Sequence, residues 1–126
     1  MRLEDDWTLE GKLAEKAFLH SMQGLATALR TESAFRQEAA LALVLLPAAF
    51  WLGRTWAEVA LLVGSVVLVL VVEMLNSAIE AVVDRVSFDL HELSKRAKDY
   101  GSAAVLLSLV WCGGVWAAAL YQRWMA

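Results

Sequence analysis

The chain has little of what most small metal and redox sites require, because it contains one cysteine and two histidines. A single thiol excludes an intrachain disulfide and a cysteine-based zinc site. The two histidines, His20 and His91, are too far apart in sequence to form a zinc motif. The sequence also lacks a glycine-rich loop ending in Gly-Lys-Ser or Gly-Lys-Thr, and it lacks protein-kinase motifs. Any site for a phosphorylated ligand must therefore be of a different design.

Charge and proline are also scarce. Charged residues make up 20% of the 126 residues and proline occurs once, whereas hydrophobic residues make up 60%. With a mean hydropathy of +0.54, the chain is too apolar for a soluble protein of this length. The net charge of −3 and the absence of a basic block argue against a nucleic-acid partner. We therefore expect residues 1–126 to form a single all-α membrane domain.

Three apolar segments predict transmembrane helices, at about 35–52, 56–83 and 102–121. The second and third each supply the roughly 20 residues that a bilayer requires, whereas the first is marginal. Pro47 interrupts the first segment and predicts a kink or tilt, with a re-entrant segment as the alternative.

The basic residues predict the orientation of these spans. Nine of the eleven lie before the first span or between the second and third, and only Arg54 and Arg123 lie on the other side. The positive-inside rule therefore places the N-terminus and the segment 84–101 in the cytoplasm.

The N-terminal segment, at about 9–30, has the pattern of an amphipathic helix. Its apolar stripe consists of Ala14, Phe18, Met22, Leu25 and Leu29. This pattern predicts a helix that lies in the cytoplasmic membrane interface, and packing against a partner helix is the alternative. The small polar residues at 31–33 suit a turn into the first span.

A polar stripe marks the end of the second span. Its members, Glu73, Asn76, Ser77, Glu80 and Asp84, lie within one arc of about 100° on a helix. A carboxylate at membrane depth costs roughly 2.5–3.5 kcal/mol, so it normally faces a partner, water or an ion. The stripe therefore suits cation binding or proton transfer; a helix cap with interhelical hydrogen bonds is the alternative.

The segment 84–101 carries a second polar pattern. Asp89 and Glu92 resemble a capping box at the start of the third helix. A stripe then follows on one face, formed by His91, Lys95, Lys98 and Ser102 and joined by Asp99. Pairs spaced i,i+4, such as Glu92–Arg96, could make this an ordinary solvated helix. Alternatively, a basic stripe beside carboxylates would suit a metal–triphosphate complex.

Three stretches carry a resemblance to a known family: EMLNSAIEAVVDR at 73–85, HELSKRAKDYGSAAV at 91–105 and ESAFRQE at 32–38. Together they resemble the small prokaryotic integral-membrane diacylglycerol kinases, in particular the Gram-negative branch. The resemblance runs from about residue 32 to the end. It implies a homotrimer with composite active sites in the bacterial inner membrane. It also implies phosphorylation of diacylglycerol to phosphatidic acid by ATP with Mg²⁺ as cofactor.

The resemblance also implies roles for individual residues. Glu73 corresponds to the catalytic base, Glu32 and Glu80 to metal ligands that also contact ATP, and Asn76 to a residue that orients the reacting groups. The other implied nucleotide contacts are His20, Ser21, Asp89, Leu90, His91, Lys98 and Asp99. The implied lipid contacts are Ala34, Phe35, Arg36, Gln37, Glu38, Glu73, Asn76 and Ser102.

The N-terminal helix departs from the family pattern. Leu13 stands where the Gram-negative members have an arginine, and His20 stands where they have a tyrosine. Two other functions stay open. One is an undecaprenol kinase of the same fold, as in Gram-positive relatives. The other is a non-enzymatic small membrane assembly or cation-pathway protein.

Overall fold

The protein contains four α-helices in the part of the chain that its structure, a computed structural model, describes. That part comprises residues 3–86 and 91–125, with side chains from Thr8 onward. The helices are α1 (Leu3–Thr31), α2 (Ser33–Leu52), α3 (Trp56–Val86) and α4 (Glu92–Met125). The predicted all-α class is confirmed. The last three helices, of 20, 31 and 34 residues, are long and apolar enough to cross a membrane.

The observed helices extend beyond the predicted segments. α2 continues through Pro47 as one helix. α4 begins at Glu92, ten residues before the predicted third span, so most of the segment 84–101 is helical. Asp89, the first half of the predicted capping box, lies outside the described residues.

The junction between α1 and α2 consists of one residue. Glu32 is extended, with φ −105° and ψ 107°. Its backbone N–H donates to the Ala28 carbonyl at 2.9 Å, and its carbonyl accepts from the Arg36 N–H at 3.0 Å. The Arg36 guanidinium also donates to the Leu29 and Arg30 carbonyls, at 3.2 and 2.7 Å. These bonds satisfy carbonyls that the end of α1 would leave without partners.

Two side-chain hydrogen bonds lie at the turn between α2 and α3, where α3 starts. The Thr55 hydroxyl accepts from the Glu58 backbone N–H at 3.1 Å. The Glu58 carboxylate accepts from the Arg54 backbone N–H at 2.7 Å. This arrangement is close to a capping box, which satisfies free N–H groups at a helix start. The Arg54 guanidinium reaches α4 and donates to the Gln122 carbonyl at 2.7 Å.

Near this turn, α2, α3 and α4 share a small apolar core around Ala49, Leu52 and Leu62. Towards the middle of α3 and α4, the contact includes polar atoms. The Trp116 indole N–H donates to the Ser65 hydroxyl at 3.2 Å. Ser65 is 1% exposed and donates to the Leu62 carbonyl at 2.8 Å. A hydrogen bond between membrane helices restrains their relative position, since lipid offers no competing partner.

At the other end of the bundle, α3 and α4 approach closely at Gly101. Gly101 is buried, and a Cβ atom added to it would collide with the Asn76 side-chain amide. Glycine is therefore favoured here by the limited space rather than by backbone conformation.

We predict that Gly101→Ala destabilises the protein by about 1–3 kcal/mol, because overpacking forces α3 and α4 apart or turns Asn76 away. Denaturation in detergent micelles, followed by circular dichroism, measures this change. Gly113→Ala is the matched control, since a Cβ there meets no atom within 4 Å. Both substitutions gain the helix propensity of alanine, so their difference isolates the collision. Equal stabilities would contradict the close contact.

Candidate active site

The polar stripe predicted on the second span lies on α3 and turns into the protein. Glu73 is 7% exposed and Asn76 is 8% exposed, while Glu80 and Asp84 are half-buried. The Asn76 amide donates to a Glu80 carboxylate oxygen at 3.4 Å. A row of polar groups one turn apart is therefore held at the end of α3 that precedes residues 87–90.

Carboxylates from α2 and from the α1–α2 junction approach this stripe. The side chains of Glu80 and Glu32 both act electrostatically on Glu73, as Glu73 does on Glu38. The one-residue junction at Glu32 and the buried Phe35 bring the start of α2 against α3. The structure thus places three further carboxylates, from three consecutive parts of the chain, within electrostatic range of Glu73.

Two buried acceptor atoms in this region have no hydrogen-bond partner among the described residues. They are Asn76 Oδ1 and Glu38 Oε2. The Glu38 side chain lines an otherwise apolar cavity of about 50 Å³ that extends to Cys112. Buried acceptors are normally satisfied, and an ordered water in this cavity would satisfy Glu38, whereas Asn76 Oδ1 faces Gly101 of α4.

The two predicted metal ligands, Glu32 and Glu80, are among the carboxylates that interact with Glu73. Glu32 and Glu80 supply hard oxygen donors, which suit Mg²⁺. Among the described residues, no group of three or more His, Cys, Asp or Glu side chains forms a complete metal site. Two protein carboxylates fit an ion that retains water and takes its remaining ligands from phosphate.

The start of α4 places basic groups at the end of the stripe. The Lys98 ammonium donates to the Asp84 carboxylate at 2.8 Å. Lys95 pairs with Asp99 at 2.6 Å within α4. The His91 imidazole Nδ1 accepts from the Leu93 backbone N–H at 3.1 Å, so it caps α4. Asp89 and Leu90, two predicted nucleotide contacts, lie outside the described residues.

An apolar pocket of about 540 Å³ lies between α1, α2 and α3, a size typical of ligand pockets. Its lining residues are Ser21, Gly24, Leu25, Phe35, Val67, Leu70, Val71, Met74 and Leu75. The α3 wall includes Val71 and Met74, which flank Glu73 in sequence, but Glu73 itself does not line the pocket. An apolar molecule in this pocket would therefore lie against the same helix as Glu73, on a different face.

Other predicted contacts are less close to this cluster. Within the predicted lipid stretch 34–38, Ala34, Arg36 and Gln37 are exposed and only Phe35 and Glu38 turn inward. His20 and Ser102 are exposed in the protomer. The Ser21 hydroxyl donates to the Ala17 carbonyl of its own helix at 2.9 Å and lines the apolar pocket.

Two features of the site do not follow from sequence spacing alone. The first is the Asp84–Lys98 pair, whose partners are 14 residues apart and on different helices. The second is the close approach of Gly101 to Asn76. A lone glycine in a polar helical segment is a weak signal for such a contact.

The arrangement combines a buried carboxylate, a cluster of further carboxylates, a lysine and an adjacent apolar pocket. Carboxylates can hold a hard cation, and a lysine can neutralise phosphate oxygens. A buried carboxylate can accept a proton from a hydroxyl group that is placed beside it. Proton acceptance, cation binding and phosphate binding are thus available at one end of the bundle.

Comparison with known proteins identifies the family. The model of the prokaryotic diacylglycerol kinase family matches residues 19–120. The chain is 50% identical over 102 residues to a Haemophilus influenzae protein named diacylglycerol kinase, covering 81% of this chain and 86% of that protein. An Escherichia coli K12 protein of the same name is 49% identical over 106 residues, covering 80% and 87%. A Pseudomonas aeruginosa protein of that name is 50% identical over 101 residues, covering 80% and 82%. The chain therefore belongs to the prokaryotic diacylglycerol kinase family.

Proposed function

We propose that this protein is an ATP-dependent lipid kinase that phosphorylates the hydroxyl of diacylglycerol and produces phosphatidic acid. The main supporting observation is the buried Glu73 carboxylate, which interacts electrostatically with Glu32, Glu38 and Glu80 and lies on the helix that forms one wall of a ligand-sized apolar pocket. The family match and the three relatives named diacylglycerol kinase support both the kinase reaction and the lipid acceptor.

The reaction forms one bond and breaks another. The lipid hydroxyl oxygen bonds to the γ-phosphorus of ATP while the bond from that phosphorus to the leaving oxygen of ADP breaks. The Glu73 carboxylate accepts the proton that the hydroxyl loses. Asn76, whose amide donates to Glu80, lies on the same face of α3 as Glu73 and would orient the reacting groups.

Glu32 and Glu80 would hold Mg²⁺ at this site. When bound, the ion would neutralise part of the negative charge on the phosphates. Lys98, which lies at the end of the stripe, would neutralise further negative charge on the phosphates. Asp99 and the segment 89–91 would contact the remainder of the nucleotide, and His20 and Ser21 would contribute from α1.

Assembly and membrane placement complete the proposal. We propose a homotrimer with active sites shared between protomers, in which neighbouring copies and lipid cover the exposed apolar faces of the spans. α1 would lie in the cytoplasmic interface, because its apolar stripe is largely exposed in the protomer, with Phe18 63% exposed. The basic asymmetry supports an inner-membrane protein with a cytoplasmic N-terminus.

We predict faster transfer of labelled phosphate from MgATP to diacylglycerol than to undecaprenol, measured with purified protein in one mixed-micelle assay. The relatives named diacylglycerol kinase favour this acceptor. Faster transfer to undecaprenol would support the other lipid kinase. Absence of ATP hydrolysis and of transfer to either lipid would support the non-enzymatic alternative.

We predict that Glu73→Gln slows phosphate transfer by about 10²–10⁴-fold, because glutamine keeps the shape but cannot accept the hydroxyl proton. The variant should still fold and bind MgATP. Transfer rates at saturating ATP and lipid measure the chemical step, and equilibrium binding measures the nucleotide site. Glu58→Gln is the control, since Glu58 lies at the opposite end of α3. Near-normal turnover of Glu73→Gln would show that another group accepts the proton.

We predict that Glu80→Gln and Glu32→Gln each raise the Mg²⁺ concentration needed for half-maximal nucleotide binding. Each substitution removes one charged oxygen ligand with little change in size. A Mg²⁺ titration of nucleotide binding measures the shift, with Glu73→Gln as the variant expected to retain near-normal Mg²⁺ dependence. Unchanged Mg²⁺ dependence in both would make these carboxylates structural.

A further inference from the structure

The ion pair between Asp84 and Lys98 joins two helices at the end of the polar stripe. The ammonium nitrogen of Lys98 lies 2.8 Å from Asp84 Oδ1. Asp84 is in the last turn of α3, and Lys98 is in the second turn of α4. The two side chains are 37% and 45% exposed, so the pair is open to solvent on one side.

This pair differs from the other ion pairs found in residues 8–86 and 91–125. Lys95–Asp99 and Glu92–Arg96 are both i,i+4 pairs within α4. Pairs of that kind are frequent on solvated helices and contribute little to stability. The Asp84–Lys98 pair instead fixes a side chain of α4 against α3, which is the helix that carries Glu73.

The Lys98 ammonium faces acidic side chains of α3. Its charge interacts with Glu80 as well as with Asp84. Glu80 is one turn before Asp84 on the same face of α3, and its carboxylate accepts from Asn76. The ammonium therefore lies within electrostatic range of the proposed metal ligand, at the end of the row that begins at Glu73.

The chemistry of lysine determines what Asp84 can do there. A lysine side chain has four rotatable bonds, so it samples many positions unless a partner restrains it. Its ammonium has three N–H donors, and one bond to Asp84 leaves two for other acceptors. Because the Lys98 side chain is 45% exposed, those donors are accessible to a phosphate.

We propose that Asp84 is a positioning residue for the nucleotide: its carboxylate holds the Lys98 ammonium beside Glu80, where the phosphates of MgATP bind. This inference rests on the proposed function, because it assumes that Lys98 contacts the phosphates. Asp84 acts through Lys98 and does not itself contact the nucleotide. The ion pair therefore persists in the complex rather than breaking when the phosphates arrive.

The test measures nucleotide affinity and kinetic constants separately. Asp84→Asn should weaken binding of a non-hydrolysable MgATP analogue by about 3- to 10-fold, measured by calorimetry on the full-length protein in micelles. KM for ATP should rise in proportion, whereas KM for diacylglycerol and the unfolding midpoint should stay near wild type. Asp84→Glu, which retains the charge, should restore most of the affinity. Glu92→Gln removes an ion pair of α4 away from the stripe and should change none of these values.

A double-mutant cycle tests whether Asp84 acts through Lys98. Lys98→Met should weaken analogue binding, and adding Asp84→Asn to that variant should have no further effect. An equal loss with and without Lys98 would contradict the inference, because Asp84 would then act independently, for example as a ligand of the ion. Tighter binding by Asp84→Asn would also contradict it, since Asp84 would then compete with phosphate for the ammonium. If Asp84→Asn does not fold, Asp84→Ser replaces it in this test and should weaken binding of the analogue to a similar extent.

Failure of this inference can be separated from failure of the proposed function. If the wild-type protein transfers no phosphate from MgATP to a lipid, the proposed function is wrong and the inference fails with it. If the wild-type protein is active but Asp84→Asn binds the analogue normally, the lipid kinase stands and only the role of Asp84 is wrong.

Discussion

The cost of placing polar groups inside a membrane protein determines the arrangement of this bundle. Glu73 and Asn76 follow directly on the apolar part of α3 and are almost fully buried. Neither lipid nor an apolar side chain can satisfy such groups, so polar atoms or bound ligands must face them. The extended Glu32 brings carboxylates from one side, and Gly101 allows α4 to approach from the other. The same requirement that restricts folding thus concentrates chemical groups at one end of the molecule.

The two ends of the bundle are built differently. Near the α2–α3 turn, the contacts consist of a small apolar core, helix caps and the Arg54 bond to α4. Between this end and the polar stripe, the Trp116–Ser65 hydrogen bond restrains α3 against α4. At the stripe, by contrast, the contacts are polar or close: Asn76 donates to Glu80, Lys98 pairs with Asp84, and Gly101 packs against Asn76. The two ends thus differ in the kind of contact that holds α3 and α4 together.

Much of the fold could be predicted from the sequence because the signals are strong. Long apolar runs indicate three spans, and the spacing of Glu73, Asn76 and Glu80 indicates that they share one face.

Helix ends are less predictable from the sequence, since polar residues at 84–101 suit both a loop and a solvated helix. The cap at Thr55 and Glu58 has a recognisable spacing and could have been found. The Asp84–Lys98 pair could not, because contacts between helices depend on tertiary packing rather than on local periodicity. The predicted ligand roles of Glu32 and Glu80 stay predictions.

The single-residue junction at Glu32 has a consequence for how α1 can vary. With one extended residue between two helices, few backbone angles determine the direction in which α1 leaves the bundle. One inserted residue in α1 before the junction would rotate everything upstream by about 100°, so Ser21 and Gly24 would leave the pocket wall. A length change of seven residues would nearly preserve the facing surface, because seven residues are close to two full turns. Natural or engineered versions of α1 should therefore tolerate substitutions on the exposed face more readily than changes in length.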